Sequence, residues 1–394
     1  MFRFLVVFGT RPEAIKLAPV ILQIRTHPGC ATTVCVTAQQ REMLDQVLKF
    51  FAIEPEIDLD LMQPNQSLAA FAGRAIPMLE EVMGKVSADI VLVQGDTSTT
   101  LYAALAAFYS RIPVAHVEAG LRTGDLYSPF PEEVNRLLTG QLASLHFPPT
   151  PRAAGNLFRE GVPHNRVFIT GNTGIDALLM SAQRADHRML QNALGAHADD
   201  TRRLVLITAH RRESFGDGFV SMCNAIADLV ISRPDVLFVY PAHLNPNVQD
   251  PVDHILRPLA ESRDNLLIPP PLPYHEFVAL MKRSWLILTD SGGIQEEAPS
   301  LAKPVLVMRE ITERQEAIDA GTARLVGTDR NLIVRETMRL LNDAAAYRAM
   351  TSIANPFGDG KAAERVVRHC RAFLERKATH QDEYAYAGAA GDEV

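Results

Sequence analysis

Two Rossmann-like domains, each a doubly wound parallel α/β sheet, facing a central cleft: this is the fold class the sequence predicts, and three observations carry it. Short runs rich in Val, Ile and Leu alternate with longer amphipathic segments, the pattern of parallel strands buried on both faces by crossover helices. The alternation breaks around residues 148–172 and then restarts, which points to two sheets rather than one. Reactive polar residues also gather just after the apolar runs, where open α/β sheets present side chains to ligands.

In the first half, strands are expected at Phe4–Phe8, Thr33–Thr37, Ile90–Val93, Val114–Glu118 and His146–Pro148. Between them Glu13–Thr26, Gln40–Phe51, Leu68–Val86 and Ser98–Tyr109 carry apolar residues at helical spacing. After Gly171 the strands resume at Leu204–Thr208, Leu237–Tyr240, Leu266–Ile268, Trp285–Thr289 and Val305–Met308, again with helices between them. The hinge is expected in the region from Pro148–Pro151 to Asn172, giving an N-terminal domain of residues 1–170 and a C-terminal domain of residues 171–357. The segment Asn355–Lys377 reads as a turn and a final helix, the helix at about 358–377 completing the first domain. From Ala378 to Val394 the chain is small, acidic and aperiodic, which predicts a disordered tail.

Composition bounds the function. A chain of 394 residues with 47% hydrophobic and 22% charged residues is long enough and apolar enough for two globular cores. A net charge of −7 gives no electrostatic footprint for nucleic acid or an acidic membrane surface, though it leaves room for a local cationic pocket. The opening FRFLVVFGT is too short for an export signal and reads as a first strand. No apolar run approaches the ~20 residues of a membrane span. The four cysteines show no CxxC spacing and no His/Cys cluster accompanies them, so no metal site is expected, and a reducing, cytoplasmic setting fits.

The densest reactive segment runs from Val91 to Arg136. Asp96 follows one apolar run, Glu118 follows a second, and Glu132 opens a helical segment, with His116, Arg122 and Arg136 among them. Asp96 either caps the helix that starts near Thr97 or does acid/base work, and Glu132 either stabilises the start of its helix or does the same. Glu118 lies too close to a buried strand to be casually solvated, and Arg122 or Arg136 is its expected cation. Carboxyl groups held in one cleft in different surroundings form an acid/base set.

Three turns are placed for anions. In Gly9-Thr10-Arg11-Pro12-Glu13-Ala14-Ile15-Lys16 the chain passes from strand to helix, with neither a Walker ending nor the three-glycine dinucleotide fingerprint. Arg11 and Lys16 are there either as donors to a phosphate or pyrophosphate, or as solvated basic residues of a structural turn. The run Asp290-Ser291-Gly292-Gly293-Ile294-Gln295-Glu296-Glu297 also passes from strand through glycines into helix. One reading puts phosphate at the glycines and ribose hydroxyls on Glu297; the other has both glutamates complementing the charge of the helix start. Thr208-Ala209-His210-Arg211-Arg212-Glu213 sets a histidine and two arginines at a strand's carboxyl end, with His243 in an analogous turn.

On these residues the chain resembles, from Phe4 to about Arg371, the non-hydrolysing UDP-N-acetylglucosamine 2-epimerase family. The motifs are FGTRPEAIKLAP, QREMLDQVL, GDTSTTL, HVEAGLRTGDLYSPFPEEVNR, GNTGIDAL, HRRESFG, DSGGIQEEAPSLAKPVLVMR and NPFGDGKAA. The resemblance implies a GT-B architecture, a homodimer, and interconversion of UDP-GlcNAc and UDP-ManNAc with no cofactor and no metal, with surface polysaccharide as the usual destination. It implies acid/base roles for Asp96, Glu118 and Glu132, and catalytic or diphosphate-contacting roles for Arg11, Lys16 and His210. Ser291, Gly292, Gly293 and Glu297 match the UDP site, Phe277 lies near the uracil, and Arg136 joins the substrate-binding set. A second UDP-GlcNAc, as activator, matches Gln39, Gln66, Arg211 and His243, with Gln40 standing where a histidine is common. Gln94 likewise stands where many relatives have histidine, and MREITERQE replaces the more usual MRDTTERPE.

The chemistry the resemblance implies begins with cleavage of the C1–O bond to UDP, which acidifies the C2 hydrogen. A carboxylate then removes it, giving a 2-acetamidoglucal, and protonation on the other face with UDP re-addition gives the epimer. The rivals are a hydrolysing epimerase that releases ManNAc and UDP, a GT-B glycosyltransferase with a UDP-sugar donor, and a non-catalytic nucleotide-sugar sensor.

Overall fold

The computed structural model describes residues 1–37, 41–63 and 66–389. The chain forms two compact units, Met1–Ala177 together with the chain from Gly360 onward, and Leu178–Asp359.

The first unit is built on β1 (Phe2–Phe8), β2 (Cys30–Val36), β3 (Ile57–Asp58), β4 (Ile90–Gln94), β5 (Val114–Val117) and β6 (Leu145–Phe147). Their order is β3-β2-β1-β4-β5-β6 and every pairing is parallel. Phe4–Phe8 and Ile90–Val93 are fully buried, as expected of central strands covered on both faces. The helix Arg11–Arg25 follows β1, and the helix Ser98–Tyr109 follows β4. The chain returns from residue 360 to add the helix Ala362–Ala389, whose Val366, Val367, Cys370 and Leu374 are buried. Asp176 anchors its start, accepting from the N–H groups of Ala362 at 3.2 Å and Ala363 at 2.9 Å.

The second unit repeats the plan with β7 (Arg203–Thr208), β8 (Val236–Val239), β9 (Leu266–Leu267), β10 (Leu286–Thr289), β11 (Val305–Val307) and β12 (Ala323–Leu325). These lie in the order β12-β11-β10-β7-β8-β9, all parallel. Counted from each unit's own first strand, both sheets have the order 3-2-1-4-5-6, the doubly wound arrangement in which the winding reverses beside the first strand. The reversals fall between β1 and β4, and between β7 and β10. Turns leaving the carboxyl ends of those strands diverge and open a crevice within each unit.

Two strands escaped the sequence reading, β3 and β12. Both are two- or three-residue edge strands, too short to show an apolar run. The final helix also differs from expectation: it runs to Ala389, past Lys377, into the stretch expected to be a disordered tail. Alanine is frequent there, and it is the best helix former even without an apolar stripe. No helix among the described residues is long and apolar enough to cross a membrane.

Candidate functional site

In the first unit a buried carboxylate ties together the two turns at the reversal. Glu13 is 1% exposed, and its Oε2 accepts from the N–H groups of Gly9 at 3.0 Å and Thr10 at 2.8 Å and from the Thr10 hydroxyl at 2.8 Å. Its Oε1 accepts from the hydroxyls of Thr97 at 2.7 Å and Thr100 at 3.1 Å, at the start of the helix after β4. Burial pushes the Glu13 carboxyl up from its ordinary pKa, and these hydrogen bonds oppose the shift. The turn carrying Arg11 and the turn carrying Asp96 are thereby fixed to each other.

Glu118 is the residue after β5, 8% exposed, with a left-handed backbone (φ +60°). Such a conformation costs a non-glycine residue on the order of 1–2 kcal/mol and persists where its surroundings over-determine it. Here they do. The Glu118 N–H donates to the carbonyl of Phe147 at 3.0 Å, Lys16 Nζ donates to Oε1 at 2.5 Å, and Gln94 Nε2 donates to Oε2. Lys16, not Arg122 or Arg136, is therefore the cation of Glu118. Arg122 makes a bidentate pair with Glu160 at 2.7 Å on each arm, and Arg136 bonds Asp96 at 2.6 Å and Glu133 at 3.2 Å.

The three acids sit on linked turns. A Cβ on Gly95 would lie 3.8 Å from Glu118 Oε2, so Glu118 reaches over the residue that precedes Asp96. Asn135 Nδ2 donates to the carbonyl of Asp96 at 2.9 Å, which attaches the helix Glu132–Leu142 to the same turn. Asp96 does not cap the helix Ser98–Tyr109; Thr97 does, accepting from the Thr100 N–H at 3.1 Å. That frees the Asp96 carboxylate for Arg136. Glu132 is the first residue of its helix, and its carboxylate has no hydrogen bond or ion pair among the described residues. Arg11, half-buried, likewise lacks a partner among the described residues, and burial draws its guanidinium pKa down. An uncommitted, partly desolvated cation beside a strand-to-helix turn is suited to an anionic ligand.

In the second unit Asp290, fully buried, spans the reversal by accepting from the N–H groups of His210 and Arg211, both at 2.7 Å. His210 is exposed and lies ring to ring with His243 at 5.5 Å and 19°. Ser291 precedes the short helix Gly292–Glu297. A Cβ on Gly292 would sit 3.0–3.2 Å from the Arg314 guanidinium, so this glycine admits Arg314; Gly293 is exposed, with nothing nearer than the Ser291 hydroxyl at 4.0 Å. Glu296 and Glu297 end this helix rather than begin it, so they do not complement its start. Glu296 pairs with Arg314 at 2.7 Å, and ion pairs continue through Glu313 to Arg309 and on to Glu213. Arg309 holds Glu313 down to about 2. This chain of charges braces the glycine turn against the His210–Ser214 turn. Phe277 is partly buried in the helix Tyr274–Arg283.

Of the residues expected at an activator site, Gln39 and Gln40 lie outside the described residues. Gln66 accepts from Arg74, and His243 Nδ1 accepts from the Asn245 N–H at 3.1 Å. Sequence reasoning passed over Glu13, Glu133 and Asp290. Glu133 is 1% exposed and accepts from the N–H groups of Thr123 at 3.1 Å and Gly124 at 3.0 Å, so it shapes the loop between Glu118 and Glu132. No group of three or more His, Cys, Asp or Glu among the described residues is arranged to hold a metal ion.

The family model described as UDP-N-acetylglucosamine 2-epimerase matches residues 22–371. A UDP-N-acetylglucosamine 2-epimerase of Escherichia coli K12 is 54% identical over 369 residues, covering 93% of this chain and 97% of the relative. The crystal structure of a UDP-GlcNAc 2-epimerase from Neisseria meningitidis bound to UDP-GlcNAc superposes with a TM-score of 0.84 at 47% identity, over 94% of this chain and 100% of that one. The structure of a UDP-GlcNAc 2-epimerase from Methanocaldococcus jannaschii gives a TM-score of 0.82 at 32% identity, with the same coverage of each chain.

Proposed function

The chain belongs to the UDP-N-acetylglucosamine 2-epimerase family of isomerases, and from that premise we propose that it interconverts UDP-GlcNAc and UDP-ManNAc by eliminating and re-adding UDP at C1. The observation that carries this reading is the set Asp96, Glu118 and Glu132 on linked turns, each in a different electrostatic setting. Asp96 faces Arg136, Glu118 is held by Lys16 and Gln94, and Glu132 has no partner among the described residues. Differently held carboxyl groups are what removal of the C2 proton from one face and its return to the other require.

The C2 hydrogen of a 2-acetamido sugar is only weakly acidic while C1 keeps its bond to UDP. Loss of the C1–O bond places positive character on C1, and a carboxylate then takes the C2 proton to give a 2-acetamidoglucal. Arg11, Lys16 and His210 serve the departing diphosphate, whose charge is greatest as the bond breaks. Ser291, Gly292, Gly293, Glu297 and Phe277 serve the rest of the UDP moiety. The non-hydrolysing outcome, a second UDP-GlcNAc as activator, a homodimeric state and supply of ManNAc units to a surface polysaccharide belong to the same reading.

The test is incubation with UDP-GlcNAc in deuterium oxide, with no acceptor present. Formation of UDP-ManNAc with deuterium at C2 in both epimers is the expected result. Turnover that needs an acceptor and leaves C2 undeuterated would make the chain a transferase. Accumulation of free ManNAc would make it a hydrolysing epimerase, and binding without any exchange would make it a sensor.

A further inference from the structure

The carboxylate that spans the reversal in the second unit is only half used. Asp290 has no exposed surface, yet only its Oδ2 is engaged, by the N–H groups of His210 and Arg211. Among the described residues no donor reaches its Oδ1, and the side-chain nitrogen facing that oxygen is His210 Nδ1, 3.7 Å away. The first unit supplies an internal comparison. Glu13 occupies the corresponding reversal, is buried to a similar degree, and has both oxygens filled by donors. A buried carboxylate oxygen without a donor is costly, so an open one beside an imidazole has a use that Glu13 lacks.

We propose that Asp290 is a positioning residue for His210: Oδ1 accepts a hydrogen bond from Nδ1–H, which fixes the ring and turns Nε2 toward the diphosphate oxygens of the substrate. The proposal rests on the reading of His210 as a diphosphate contact given above. A movement of roughly 1 Å closes the pair to charge-assisted hydrogen-bond range, and the backbone clamp on Oδ2 holds the carboxylate still meanwhile. The titratable and charged groups around the imidazole are Asp290 after β10, His243 after β8, and Arg211 on its own turn. His243 does not compete for Asp290, because its Nδ1 accepts from the Asn245 N–H and its proton therefore sits on Nε2. Partial desolvation of a ring that stays 42% exposed, together with His243 and Arg211, favours a neutral His210, and Asp290 opposes them. With Asp290 in place the ring gains a second proton more readily and meets the diphosphate as a donor.

Two measurements test the pairing. In the unaltered protein labelled with 15N at histidine, NMR should show the neutral His210 ring protonated on Nδ1, whereas protonation on Nε2 would overturn the proposal. This readout needs neither turnover nor a variant. The second measurement is a double-mutant cycle on epimerisation with Asp290→Asn and His210→Ala. The asparagine carbonyl keeps the backbone clamp, while its NH2 replaces the charged acceptor that faces Nδ1. Asp290→Asn should lower kcat about tenfold or more in the parent and less than about twofold in the His210→Ala background. Equal losses in both backgrounds would make Asp290 a structural residue only. If the unaltered chain does not epimerise UDP-GlcNAc, the functional reading fails while the NMR result still decides the pairing.

Discussion

Glu118 owes its place to two partners of different kinds, a cation at one oxygen and a neutral amide at the other. Glu118→Gln should therefore lower turnover by about 10²–10⁴-fold while UDP affinity stays close to the parent value, read by C2 exchange and by calorimetric titration with UDP. Unchanged exchange in Asp96→Asn, Glu118→Gln and Glu132→Gln alike would remove all three from the reaction. Glu13 invites a contrasting pair of substitutions. Glu13→Leu strands two backbone N–H groups and three hydroxyls, each worth about 1–3 kcal/mol, and should lower the urea midpoint sharply; Glu13→Gln keeps an acceptor and should cost far less. Equal losses from both would mean that packing, not hydrogen bonding, explains the position. Asp96, Glu118 and Glu132 were legible in the sequence because each stands at the edge of an apolar run or opens a helix. Glu13 and Asp290 were not, because their partners are backbone N–H groups, and Glu13's hydroxyl donors at Thr97 and Thr100 come from more than eighty residues away. Lys16 was legible as a cation but not as the partner of Glu118, since 102 residues separate them.

At the scale of elements, the turn after β5 is pressed against the helix Pro151–Arg159. Gly120 has φ +87°, and a Cβ there would meet the carbonyl oxygen of Ala153 at 2.3 Å. Gly120→Ala should thus lower the melting temperature by several degrees and reduce activity with it, because the displaced turn carries Glu118. A variant that melts like the parent would show that the helix can retreat at little cost. Asp176 caps the final helix from a buried position, and Asp176→Ala should cost about 1–2 kcal/mol or slightly more, measured by denaturant midpoint. The helices Leu68–Val86 and Ser98–Tyr109 could be read residue for residue, since each begins after a serine or threonine cap and carries a long apolar stripe. The edge strands β3 and β12 could not. With neighbours on one side only, they need no continuous apolar run, and nothing in their composition separates them from loop.

For the molecule as a whole, the first unit should respond to acid through two adjacent buried histidines. His116 and His146 face each other across β5 and β6, and burial is the main cause that lowers them to about 4 and about 3. Their folded values lie below the ordinary 6.5, so the unfolded chain binds more protons throughout that interval. Their contribution is complete above about pH 6.5 and is lost as the pH falls from there to about 4 for His116 and about 3 for His146, at most about 1.4 kcal/mol per pH unit for each. Urea midpoints at pH 7, 5.5 and 4.5 should fall in that order, and less steeply in His146→Gln; a flat series would contradict the buried neutral pair. The return of the chain at Gly360 has a different kind of consequence, one that concerns order in time. During synthesis the residues of the second unit, 178–359, emerge complete while the first unit still lacks Val366, Val367, Cys370 and Leu374. Domains tend to fold as units once their chain is available, so here the part that begins first finishes last. The sheet whose turns carry Asp96, Glu118 and Glu132 gains the cover of this last helix only after residues 178–359 have been made.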